Sequence, residues 1–132
     1  MHLNIIENLK ISIITVSFNS EETIKTTLNS VLNQNFKNIE HIIIDGKSTD
    51  NTIQIVKKYS HIKKIVSEPD NGIYDAMNKG IKIATGDIIG FLNSDDFFAN
   101  DNVLSRVAST FINNSNLQGC YADLIYTDKK DI

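Results

Sequence analysis

The chain has 132 residues, 41% hydrophobic and 22% charged, which suits one folded domain and argues against disorder. Its net charge of −3 lacks the basic footprint of a nucleic-acid binder. No apolar stretch approaches the ~20 residues that span a bilayer. Met1 to Glu7 also lacks the basic start and long apolar run of a signal peptide. The expectation is a cytoplasmic domain, with docking at the inner face of a membrane left open. The single cysteine, Cys120, excludes an internal disulfide, and its apolar neighbours predict a buried thiol.

Residues 1–9 read as a lead-in that could carry some helix, and residues 10–132 as the domain. Lys10 to Ser17 is β-branched and nearly continuous, the pattern of a buried parallel strand. Ser20 suits a helix N-cap, with Glu21 and Glu22 at the positive end of the helix. Ile24, Leu28, Val31 and Leu32 then recur at helical spacing. Ile39 to Ile44 is a second strand, closed by Asp45 and Gly46. Asp50 or Ser48 caps a second helix with Ile53, Val56 and Tyr59 inward. Ile62 to Val66 is a short third strand.

The Pro69-Asp70-Asn71-Gly72 turn precedes a third helix with Ile73, Ala76, Met77, Ile81 and Ala84 inward. Thr85-Gly86 ends it, with Gly86 expected in the left-handed conformation. Asp87 to Leu92 is a fourth buried strand that runs into Asn93-Ser94-Asp95-Asp96. Asp101 caps a fourth helix with Val103, Leu104, Val107 and Phe111 inward, and Gly119 to Tyr126 reads as a last strand.

Alternating strands and helices predict an α/β fold: a mostly parallel sheet in a three-layer sandwich, with right-handed crossovers. Parallel strands carry Ser17, Phe18, Asn19, Asp45, Gly46, Asp70, Asn93, Ser94, Asp95 and Asp96 to one sheet edge, where such sheets bind ligands. Asp95 and Asp96, beside Asn93 and Ser94, make an oxygen-only environment suited to Mg²⁺ or Mn²⁺. Neither Gly-x-x-x-x-Gly-Lys-Ser/Thr nor Gly-x-Gly-x-x-Gly occurs, so a diphosphate here would be neutralised mainly by the metal. That chemistry fits group transfer from a nucleotide-activated donor.

Four segments carry a resemblance. Ile11 to Asn19, Ile42 to Thr52, Ser67 to Gly80 and Phe91 to Asp96 together resemble family 2 glycosyltransferases with the GT-A fold. The third segment resembles a subgroup found in bacterial polysaccharide gene clusters. The resemblance implies that Val16, Ser17 and Phe18 line the base and ribose of a nucleotide-sugar donor. It implies that Asp45 hydrogen-bonds the base, typically uracil, and that Asp70, Asn78 and Lys79 border the donor. Asp95 would bind Mn²⁺ or Mg²⁺, assisted by Asn93 or Asp96. The family transfers sugar with inversion, using a carboxylate base on the acceptor hydroxyl, and the acceptor would be a glycan or a lipid-linked glycan.

Three departures stand out. Gly46 replaces a second acid after the second strand, and Asn93 replaces the first acid of Asp-x-Asp. The third is length. Family domains continue well past this point, so the chain resembles the nucleotide-binding half. No residue is assigned as catalytic base; Asp123 and Asp128 are the nearest acids. A non-catalytic nucleotide-binding or partner-binding module and a sugar nucleotidyltransferase are the alternatives, and a homodimer through the exposed truncated face is left open.

Overall fold

The computed structural model describes residues 8–128. Four strands and four helices alternate: β1 (Ile11–Ser17), α1 (Ile24–Leu32), β2 (Ile39–Asp45), α2 (Thr52–Val56), β3 (Lys64–Ser67), α3 (Ile73–Ile83), β4 (Ile88–Phe91) and α4 (Val103–Asn113). The sheet order is β3-β2-β1-β4 and every pairing is parallel. The register sets Ser17 opposite Asp45 and Asp45 opposite Ser67, so three strand ends meet at one edge.

The strand order reverses at β1. Crossovers through α1 and α2 step the chain from β1 to β3, and the crossover through α3 returns it past β1 to β4. Right-handed connections put these two sets of helices on opposite faces. The core follows that division. Ile11 and Ile13 pack with Val31, Phe36, Leu92, Leu104 and Ala108 from the α1 and α4 side. Ile43 packs with Ile24, Leu28, Val56 and Ile62 from the α1 and α2 side. Ile14, Val16, Ile42 and Ile44 face Ala76 of α3.

Several expectations give way to tertiary geometry. α3 lies over β1 and β2, and its buried line runs through Ala76 and Gly80. Ile73 and Ile81 therefore sit on its flanks, exposed. β4 is an edge strand rather than a buried one. Ile89 and Phe91 lie opposite Ser12 and Ile14, on the face α3 covers, but α3 does not extend over them and both are exposed. On α1, Thr27 takes a buried place while Leu32 is exposed.

Gly86 is not left-handed; Gly72, with φ 104°, is the glycine that is. Gly86 is required for close approach instead, because a Cβ there would lie 2.6 Å from the Ser12 amide nitrogen. Residues 119–126 form no strand and are exposed, so Cys120 is exposed too. An alternating pattern becomes a strand only where a neighbour accepts its hydrogen bonds, and these residues have no such neighbour among the described residues. Residues 1–7 of the expected lead-in lie outside the described residues.

The helix starts also differ from the motif reading. Thr23 is the N-cap of α1, and the Ser20 carbonyl accepts the Thr23 and Ile24 amides. Neither candidate is the N-cap of α2, which is Asn51; Asp50, one residue earlier, accepts the Thr52 amide at 2.9 Å, and Ser48 turns to Asp45. Asp101 does not cap α4. The buried Gln34 side chain does so from a distance, its Oε1 accepting the Leu104 amide at 2.9 Å.

A second network fastens the far end of the sheet. Glu40 accepts hydrogen bonds from Lys64 Nζ at 2.7 Å, Ser12 Oγ at 2.6 Å and the Thr85 amide at 2.8 Å. Burial opposes its ionisation, but these donors outweigh that and hold the carboxyl well below the usual range.

Candidate functional site

A cleft of about 680 Å³ opens at the carboxyl ends of β1 and β4, where the strand order reverses. Open α/β sheets bind ligands at that reversal because the two outgoing chain paths diverge and leave a crevice. Val16, Ser17, Phe18 and Asn19 line it from β1, Asp70 from the turn after β3, and Asn93, Ser94 and Asp95 from the end of β4. These are eight of the thirteen residues expected at the site. The cleft also takes in Gly72, expected at this edge with Asp70, and Ser20, Glu22, Thr23, Ile73 and Ala76, which the motifs did not mark. Ser20 was readable only as a helix cap; its hydroxyl instead meets Ser94 Oγ at 2.8 Å across the cleft wall.

The other five expected residues do not line the cleft. Asp45 is fully buried, and its carboxylate accepts from Ser17 Oγ at 3.0 Å, Ser48 N at 2.9 Å, Ser67 Oγ at 2.7 Å and Ser48 Oγ. A carboxylate offers about four lone-pair sites, so Asp45 has none left for a base. It ties together the ends of β1, β2 and β3. Gly46 continues the ladder, its amide donating to Ser17 O at 2.8 Å, and faces Asp70 and the Phe18 ring without lining the cleft. Lys79 lies behind the turn, bonded to Pro69 O at 2.9 Å and paired with Glu68 at 3.1 Å and Asp75 at 3.4 Å. Asn78 is exposed on α3, outside the cleft. Asp96 neighbours Asp95 but does not line the cleft.

Two scaffolds hold the cleft walls. On the β1–β2 side, Asn19 adopts a left-handed φ of 46° and its Oδ1 accepts the Thr49 amide at 2.9 Å. Glu21 and Asp50 add reciprocal bonds: Asp50 accepts the Glu21 amide at 3.1 Å and Glu21 the Asn51 amide at 2.9 Å. On the β4 side, Thr27 and Ser30 of α1 and Gln34, just past its end, form a polar stripe. Thr27 Oγ1 donates to Asp96 O at 2.7 Å, Ser30 Oγ accepts the Phe98 amide at 3.1 Å, and Gln34 Nε2 donates to Asn100 O at 2.7 Å.

The electrostatics are concentrated at Asp95 and Asp96. Partial loss of water and the adjacent Asp95 charge raise the Asp96 carboxyl above its usual range, against a hydrogen bond from Asn93. Among the described residues, no group of three or more His, Cys, Asp or Glu side chains converges as a preformed metal cage. An exposed carboxylate at a cleft wall, with hydroxyl and amide oxygens beside it, fits the other mode. In that mode Mg²⁺ or Mn²⁺ takes one or two protein ligands and completes its shell with phosphate oxygens and water.

A parallel sheet whose order reverses beside a carboxylate-bearing cleft defines an α/β domain that binds its ligand at the topological switch point. Comparison with known proteins narrows the class. The sequence model of Glycosyl transferase family 2 matches residues 12–126, and the chain belongs to that family. It is 41% identical over 98 residues to an uncharacterized glycosyltransferase of Mycobacterium tuberculosis, covering 73% of this chain and 37% of that protein. It is 39% identical over 99 residues to the Escherichia coli UDP-Glc:alpha-D-GlcNAc-diphosphoundecaprenol beta-1,3-glucosyltransferase WfaP, covering 74% and 39%. Staphylococcus aureus TarS 1–349, solved in complex with UDP-GlcNAc, superposes with a TM-score of 0.74 at 32% identity, over 81% of this chain and 32% of that one. The fold is GT-A, and the chain spans less than two-fifths of the length of each of these three proteins.

Proposed function

We propose that this chain forms the donor-binding part of an inverting glycosyltransferase that takes a UDP-sugar with Mn²⁺ or Mg²⁺ and serves polysaccharide assembly on a glycan or lipid-linked acceptor. The observation that carries this reading is the placement of two unlike groups on either side of the β1 tip. Phe18 and Asp70 stand toward β2 and β3, and Ser94 and Asp95 stand toward β4. Strands are spaced about 4.8 Å apart, so the two sides are separated by about 10 Å, the scale of a nucleoside diphosphate. A base set against the exposed Phe18 ring would deliver its phosphates to Asp95.

Asp95 would hold the metal, with Asn93 or Asp96 assisting. The bound cation would stabilise charge on the departing diphosphate. It would also relieve the repulsion between Asp95 and Asp96 that raises the Asp96 carboxyl. The chain's own residues contribute binding and orientation: Ser17, Phe18 and Asn19 at the nucleoside, Ser20 and Ser94 at the wall between base and metal. TarS bound to UDP-GlcNAc and the UDP-glucose specificity of WfaP support a uridine donor. The undecaprenol-linked acceptor named for WfaP supports a lipid-linked glycan.

Beyond the acids assigned to donor and metal, Glu22 also lines the cleft, on the turn before α1, and no acid is assigned as the base. Asp123 lies in the exposed run after α4. The 132-residue chain is expected to bind donor and to transfer sugar poorly or not at all. Calorimetric titration of UDP, with and without Mn²⁺, tests the reading. Metal-enhanced binding that disappears in Asp95→Ala is the expected result. Absence of binding by UDP, GDP, CDP and TDP alike would overturn it.

A further inference from the structure

The end of β2 offers no free carboxylate to the cleft. Asp45 is saturated and buried, and Gly46, the next residue, has no side chain. The space a side chain at position 46 would fill is already taken. A Cβ built there would lie 2.8 Å from Asp70 Oδ2 and 3.4 Å from the Phe18 ring. The Asp70 carboxylate thus reaches across to the β2 tip, beside an aromatic ring that is 63% exposed, and both line the cleft.

Its orientation is fixed. Asp70 Oδ1 accepts the Gly72 amide at 2.9 Å, and among the described residues Oδ2 has no hydrogen-bond partner. The turn carrying it is clamped at both ends. The Glu68 amide donates to Asp45 O at 3.0 Å, Lys79 holds Pro69 O, and Asp75 accepts the Asn71 amide at 3.0 Å.

We infer that Asp70 Oδ2 selects the nucleobase by accepting its ring N–H, with Gly46 kept small to admit the carboxylate and Phe18 offering the face on which the base stacks. This rests on the donor-site reading above and names which residue gives it specificity. The imide edge of uracil presents N3–H, a donor matched to a carboxylate oxygen. Cytosine presents an unprotonated N3 at the same place, so lone pair faces lone pair and Asp70 is left without a partner. UDP and CDP share every other feature that the cleft can contact except the C4 substituent. A charge-assisted hydrogen bond of this kind corresponds to about 10- to 100-fold in affinity.

The test is paired titration of UDP and CDP with Mn²⁺ into the wild-type chain, Asp70→Asn and Gly46→Ala, with thermal melting to verify folding. The wild type should prefer UDP over CDP by at least about 10-fold. Asp70→Asn, which turns an acceptor into a donor at nearly constant shape, should reduce that ratio to near unity or invert it. Gly46→Ala should displace the carboxylate and weaken UDP without abolishing the response to Mn²⁺. If the wild type binds UDP and Asp70→Asn leaves the UDP-to-CDP ratio unchanged, the assignment to Asp70 is overturned while the donor site stands. If no nucleoside diphosphate binds the wild type, both fall together.

Discussion

The two walls of the cleft are built on different principles. At the β1–β2 wall the scaffold is closed on itself, with Asp70 Oδ2 left open beside it: Asp45 is buried and takes four hydrogen bonds, and Asn19, Glu21 and Asp50 are cross-linked between two loops. At the β4 wall the backbone is fastened by the α1 stripe, while the two carboxylates stand exposed and adjacent. One wall is fixed in shape before a ligand arrives. The other holds unrelieved negative charge that a cation and phosphates would complete. A donor site needs both properties, because a base is recognised by fixed shape and a hard cation by a shell that phosphate shares.

This contrast is open to breaking. The largest effect is expected at Asp45. Removing it in Asp45→Ala strands donors from three segments in a buried setting, and should cost about 3 kcal/mol or more. That corresponds to a fall of roughly 10 °C in melting temperature for a domain of this size. Loss of less than about 1 kcal/mol would mean that the β1–β2 wall is not the rigid side.

Gln34→Ala comes next. It leaves the Leu104 amide and the Asn100 carbonyl unpaired behind the β4 wall. Chemical denaturation should show a loss of about 2 kcal/mol. If the Asp95 wall depends on this anchor, the metal response of UDP binding should weaken in the same variant.

Acid should loosen the fold in two stages. His41 is buried, its Nε2 2.9 Å from Thr15 Oγ1, and burial together with the neighbouring His61 pushes its pKa down to about 3 from an ordinary 6.5. Between those values the unfolded chain binds the proton and the folded one does not, so stability rises with pH across the window and is lost as pH falls through it. Glu40 adds to this below about pH 4.5, because its folded-state carboxyl is depressed and its contribution is lost as it protonates. Melting curves from pH 7 to 4 should slope accordingly, and His41→Gln should flatten the upper part of that slope. An unchanged slope would remove His41 from the account.

The smallest effect on stability is expected where the effect on binding is large. Asp95→Ala removes an exposed, repelling charge and should alter stability by no more than about 0.5 kcal/mol, while abolishing the Mn²⁺ dependence of UDP binding. A large loss of stability would show Asp95 to be a structural residue of the turn.

Much of this was legible in the residues. Continuous β-branched runs gave β1 and β2, and periodic apolar positions gave the helices, because burial on both faces of a parallel sheet leaves few alternatives. Asp95 was marked by a strand that ends in acids. The role of Asp45 was not legible, since its partners Ser17, Ser48 and Ser67 converge from separate segments. The absence of a side chain at Gly46 read as a lost contact; only the fold shows the Asp70 carboxylate filling that space. Gly119 to Tyr126 carried a strand pattern but has no partner strand among the described residues, and its exposure follows. Local pattern reports what a segment can bury, and it does not report what stands beside it.

The contrast between the walls is tested most directly by the Mn²⁺ dependence of uridine and UDP binding, measured side by side by calorimetry on the wild-type chain. The account predicts that uridine binds weakly with an affinity indifferent to Mn²⁺, that Mn²⁺ alone binds poorly, and that UDP gains about 10-fold or more from the metal. Tight binding of Mn²⁺ in the absence of nucleotide, or UDP affinity that does not respond to the metal, would contradict it.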